Sequence, residues 1–92
     1  MLFHVRMDVS VPHDMNPTIR EDLLSREKAR AEEIQGTGVW PEIWRVVGEY
    51  ANISIFDVDD NDTLHALLSS LPLFPYMKIH VTPLAAHPSK VH

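Results

Sequence analysis

Apolar residues change their period along this chain, and the order of those changes leaves few folds open. Over residues 2–9, Phe3, Val5, Met7 and Val9 fall on one side while Leu2, His4, Arg6 and Asp8 fall on the other, the two-residue repeat of a strand. Met77, Ile79 and Val81 alternate with Lys78, His80 and Thr82 in the same way and predict the last strand. Between these strands the spacing turns helical twice. Asn16 is a candidate N-cap and Pro17 suits a first helical position, so a helix is predicted from there to about Gln35, with Gly36 and Gly38 as its stop. Leu64, Leu67, Leu68 and Leu71 follow i, i+3, i+4, i+7 and predict a shorter helix, introduced by the cap-prone Asp60-Asn61-Asp62 and ended by Pro72 and Pro75. The stretch from Val39 to Tyr50 is aromatic and β-branched, and Ala51 to Asp57 reads as a strand, so the two are predicted to pair as antiparallel neighbours.

The resulting order is β-α-β-β-α-β, an α+β, ferredoxin-like sandwich with two helices on one face of an antiparallel sheet. Residues 1–92 have room for a single domain. The purely apolar positions Phe3, Val5, Met7, Ile53, Ile55, Met77, Ile79 and Val81 are expected to meet the helices. His4, Arg6, Asn52, Ser54, Lys78 and His80, with Leu2 and Phe56, are expected on the other face. That second face is too mixed for a core and too apolar for plain surface, so a sheet-to-sheet dimer is predicted to cover it. A domain of this size buries only about two-thirds of its unfolded surface, which also favours self-association.

Charge and composition exclude several functions. Eight Lys and Arg against thirteen Asp and Glu give a formal charge of −5, so no basic excess is present to displace counterions from nucleic acid. With no cysteine there is no disulfide, thiolate metal site or cysteine nucleophile. No apolar stretch approaches the length of a membrane span, and the start carries no basic segment leading into an apolar run, so a soluble, cytoplasmic protein with no membrane partner is expected. His4 and His80 share a face, but no ligand spacing such as H-E-x-x-H accompanies them, and no metal is predicted. Asp57, Asp59 and Asn61 briefly imitate a calcium loop. Asp62 then stands where such a loop needs Gly, and Leu68 where it needs a bidentate Glu. No Gly-rich phosphate loop is present.

The first helix carries the most informative residue. At about 100° per residue from Ile19, Leu23 lies at about 40°, Ile34 at about 60°, Ala31 at about 120° and Glu27 at about 80°, in the middle of the apolar stripe. Glu21, Asp22, Glu32 and Glu33 all lie on the opposite side. A carboxylate on an apolar face must be paired, hydrogen-bonded or neutral, and burial raises its pKa, which is how a general base is made. The competing reading pairs Glu27 with Arg30 or Arg20 as a structural ion pair. Tyr50 and Asn52 flank a strand junction and offer a hydroxyl and an amide for a substrate or an enolate oxygen, against a plain packing role for Tyr50. Trp40 and Trp44, four apart in a segment read as extended, are expected on one face, as a pocket wall or as core. Arg6, Arg45 and Lys78 are cations able to hold a carboxylate.

Three stretches carry a family resemblance: Met1 to Met7, Trp44 to Val58, and Leu71-Pro72-Leu73-Phe74-Pro75-Tyr76-Met77-Lys78-Ile79-His80-Val81-Thr82-Pro83-Leu84. They closely resemble the muconolactone isomerase family, over nearly the whole chain. The resemblance implies an enzyme of catechol ortho-cleavage, the β-ketoadipate pathway, that converts muconolactone to the enol-lactone of 3-oxoadipate without metal or organic cofactor. It implies intertwined dimers of the ferredoxin-like protomer (a dimeric α+β barrel) assembled into a homodecamer. The Pro- and Ala-containing tail at about residues 83–92 is expected to pack on a neighbouring subunit, with folding back onto its own protomer as the alternative. The resemblance places the acid-base role on Glu27, with Tyr50 and Asn52 lining the site. Arg6, Lys78 and His4 are further candidates for substrate binding on residue type, with Arg6, Arg45 and Lys78 as the cations open to the substrate carboxylate. The alternative is related chemistry on the same dimeric fold, dehalogenation of chlorinated muconolactones or another cofactorless reaction. A non-enzymatic binding module has no reason to keep a carboxylate on its helix stripe.

Overall fold

The structure, a computed structural model, describes residues 1–92. Pro17 fixes the first helical φ, and the Asn16 side chain accepts from the Thr18 and Ile19 N–H groups at 2.9 and 3.3 Å, which starts helix α1 at Pro17–Gly36. The helix ends one residue later than its spacing predicts, where the Thr37 and Gly38 N–H groups reach back to Ile34 and Gln35 and Gly38 turns to φ +85°. Helix α2, Asn61–Ser69, is capped by the Asp60 carboxylate, which accepts from the Thr63 N–H at 2.7 Å. Pro72 and Pro75 prevent its continuation, and a short 3-10 turn, Phe74–Tyr76, leads into the last strand.

The strands are β1 (Leu2–Val9), β2 (Glu42–Arg45), β3 (Ala51–Asp57) and β4 (Met77–Leu84), in the antiparallel order β2-β3-β1-β4. The predicted β-α-β-β-α-β order is therefore present. The β2–β3 connection turns at Gly48, whose φ of +80° is unfavourable for any residue with a Cβ. β4 runs through Thr82, Pro83 and Leu84, residues predicted to belong to the tail; Pro83 is tolerated because β4 is an edge strand. Residues 85–92 carry no helix or strand and are exposed. No helix is long and apolar enough to cross a membrane.

The register corrects the expected faces of β3. Phe3, Val5 and Met7 are fully buried and stand opposite Phe56, Ser54 and Asn52, so these three β3 residues face the helices. Ile53 and Ile55 stand opposite Arg6 and His4 on the open face. The fully buried Ser54 is accommodated because its hydroxyl donates to Asn52 Oδ1 at 2.8 Å, and Phe56 fills the core by stacking on Trp40 with ring centroids 4.7 Å apart. The two tryptophans also part company. Trp40 precedes β2 and turns into the core, whereas Trp44 sits opposite Ile53 on the open face and is 67% exposed. On α1, Leu23 and Ile34 are buried, while Ile19, the start of the predicted stripe, is exposed.

Candidate active site

A cavity of about 290 Å³ opens between α1, the β2 end of the sheet and the loop that follows α2. Met7, Ala51 and Asn52 form its sheet side, Glu27, Lys28 and Ala31 its helix side, and Ile43, Arg45 and Tyr50 its outer edge, with Trp40, Leu73 and Met77 completing the wall. Nine of its thirteen lining residues are hydrophobic, so the few polar groups present act with little competition from water.

Glu27 is half-buried in this wall. Its Oε1 accepts a 2.8 Å hydrogen bond from the Leu73 backbone N–H, a donor that Pro72 and the turn at Phe74–Tyr76 hold against α1. Burial pushes the Glu27 carboxyl above its ordinary value, and the Leu73 bond offsets part of that rise. None of the ion pairs includes Glu27. The structural pairing with Arg30 or Arg20 is thus not formed; Arg30 donates to the Ser70 hydroxyl at 3.0 Å and pairs with Glu33. A carboxylate with raised pKa, one hydrogen bond and a free second oxygen in an apolar cavity is equipped to take a proton from carbon and give it back.

Asn52 reaches the same cavity from β3. Its Oδ1 is occupied by Ser54, which orients the amide and leaves its N–H groups as donors. Tyr50, half exposed just before β3, lines the cavity as well. Its ring is covered by the Arg45 guanidinium, 5.3 Å from the ring centroid.

The other predicted substrate contacts lie elsewhere. His4, Arg6 and Lys78 project from the sheet face opposite the helices and do not line the cavity that contains Glu27. Strand alternation is the reason: each is one residue out of phase with the buried Phe3, Val5 and Met7 and the partly buried Ile79. Arg6 is also committed, donating to both Asp8 oxygens at 3.0 Å and to Glu49 at 3.0 Å. The hydrogen bond with Arg6 holds Asp8 below its ordinary pKa and raises that of Arg6. The structure therefore brings together Glu27, Tyr50, Asn52 and Arg45, and separates them from His4, Arg6 and Lys78.

Two contributors escaped the sequence reading. Lys28 lies well away from the apolar stripe on the wheel, and only the position of the cavity at the helix edge makes it a wall residue. The Leu73 N–H is a backbone donor, and its one sequence signal is the proline before it.

Known proteins match this chain over nearly its full length. The family model for muconolactone delta-isomerase matches residues 1–90. The muconolactone Delta-isomerase of Cupriavidus pinatubonensis is 63% identical over 91 residues, covering 99% of both chains. That of Rhodococcus opacus is 57% identical over 90 residues, covering 98% of this chain and 97% of its own. A crystal structure of muconolactone isomerase superposes with a TM-score of 0.93 at 49% identity, covering all of this chain and 96% of that one. The chain belongs to the muconolactone Delta-isomerase family.

Proposed function

We propose that this chain is an isomerase that moves the ring double bond of muconolactone to give 3-oxoadipate enol-lactone, with Glu27 as the group that carries the proton. The observation that carries this reading is a half-buried carboxylate with a raised pKa and no cationic partner, in an otherwise apolar cavity. The cavity, at about 290 Å³, suits a small lactone.

In the reaction, Glu27 as carboxylate removes the proton from the ring carbon that bears the carboxymethyl arm. The electron pair released becomes the new ring double bond, and the old one shifts toward the lactone carbonyl, so negative charge collects on the carbonyl oxygen of a dienolate. The protonated Glu27 then returns the proton to the carbon next to that carbonyl, two positions away, and is restored as carboxylate. One carboxyl serves both steps when both carbons present the same ring face to it. A raised pKa brings the base closer to the carbon acid that it must deprotonate. The Asn52 amide and the Tyr50 hydroxyl are the donors available to the dienolate oxygen, where a fixed donor outperforms water because it need not reorient.

The reading extends to assembly. The open sheet face, with exposed Trp44 and partly buried Ile53 and Ile55, and the exposed tail at residues 85–92 offer surfaces for intertwined dimers and a homodecamer, and sedimentation of the purified chain at its monomer mass would refute this. The activity itself is tested by a proton NMR time course with muconolactone. Enol-lactone is expected to accumulate, with or without a chelator; an unchanged substrate spectrum would overturn the proposal.

A further inference from the structure

We infer that Arg45 receives the free carboxylate of the lactone substrate and, with Asn52 beside it, sets which ring carbon faces Glu27. The inference rests on the isomerase reading and assigns to it a specificity-determining residue.

Three observations carry it. The cavity has two cations on its wall, Lys28 from α1 and Arg45 from β2. Most arginines of the chain are already spent on carboxylates: Arg6 on Asp8 and Glu49, Arg26 on Asp22, Arg30 on Glu33. Arg45 is in no ion pair. Its guanidinium instead lies 5.3 Å from the Tyr50 ring centroid, a contact that restrains the group without neutralising its charge and leaves its planar fork of N–H donors open.

Position supplies the third. Arg45 and Asn52 are paired across β2 and β3, so their side chains leave the sheet on the same face, as immediate neighbours, toward the cavity that holds Glu27. A molecule with a carboxylate at one end and a carbonyl oxygen at the other meets a bidentate cation and an amide donor side by side. The carboxymethyl arm is attached to the carbon that loses its proton, so gripping the arm orients that carbon. Lys28 is less suited: its ammonium is a strongly hydrated point charge on a flexible stem, unable to fix the plane of a carboxylate.

The test compares muconolactone with its methyl ester, which keeps the reacting ring and loses the charge, in the wild type, R45K, R45M and K28M. The wild type is expected to prefer the acid over the ester, chiefly through KM. In R45M that preference should collapse by roughly 10- to 100-fold, the usual worth of a charge-assisted contact. R45K should keep part of it, and K28M most of it. R45M lowering both substrates by one factor, a wild type indifferent to the ester, or loss of preference in K28M rather than R45M would each overturn the assignment. A wild type that converts neither substrate removes the isomerase reading, and with it this inference; conversion of both with preference intact in R45M removes this inference alone.

Discussion

The two faces of the sheet treat charge in opposite ways. On the open face, Arg6 collects Asp8 and Glu49 in reach of water, and the bond with Arg6 pulls the Asp8 pKa down. On the covered face, Glu27 has no cation, is half-buried among apolar side chains, and has its pKa pushed up. The first arrangement stabilises a carboxylate as an anion and so makes it a poor proton acceptor. The second withholds that stabilisation and so favours the protonated form. Glu27 is informative because it combines the two conditions, burial in an apolar wall and no ion pair.

The sharpest way to break the contrast is to remove the titrating group while keeping its shape. Glu27→Gln retains an oxygen for the Leu73 N–H but has no proton to exchange, and kcat/KM is expected to fall by roughly 10²- to 10⁴-fold, measured by steady-state turnover of muconolactone. A variant as active as the wild type would return Glu27 to a packing role. Asn52→Ala removes the candidate dienolate donor and is expected to cost roughly 10²-fold, mostly in kcat. It also strands the buried Ser54 hydroxyl, so chemical denaturation should show a loss of about 1–2 kcal/mol.

A third test uses stability. Because folding raises the Glu27 pKa, the native chain binds more protons than the unfolded chain between the two values, so this group's contribution falls as pH rises through that window. Glu27→Gln is expected to melt at a progressively higher temperature relative to wild type as pH rises from below the ordinary Glu value to neutrality. A difference independent of pH would contradict the raised pKa. The smallest effect belongs to the open face: Asp8→Asn removes a partly exposed, Arg-paired carboxylate and should change turnover by less than about twofold.

What was legible in the sequence follows from how local each signal is. Element order was readable because the two-residue and helical repeats, the Asn16-Pro17 start and the Pro72 and Pro75 stop act within a few residues. The facing of β3 was not, because Ile53 and Ile55 on one side and Phe56 on the other are all apolar, and only pairing with β1 chooses between them. Glu27 stood out on its helix wheel as an acid where the periodicity calls for an apolar side chain. Its partner did not, since a backbone N–H brought in by a turn 46 residues away leaves no side-chain pattern. His4, Arg6 and Lys78 were grouped correctly with one another, on the side of the sheet that the helices leave open. Glu27 and Arg45 lie across the sheet from them, so residue type alone proposed them and geometry ranks Arg45 first among the cations.

The measurement that bears most directly on the central claim is a carbon-13 titration of the Glu27 carboxyl, set against the pH dependence of kcat/KM in the same protein. The account predicts that Glu27 titrates above the ordinary glutamate value and that the acid limb of the rate profile falls at that same pH. A Glu27 that titrates at its ordinary value, or an acid limb that ignores it, would contradict the claim that burial beside Leu73 makes this residue the base.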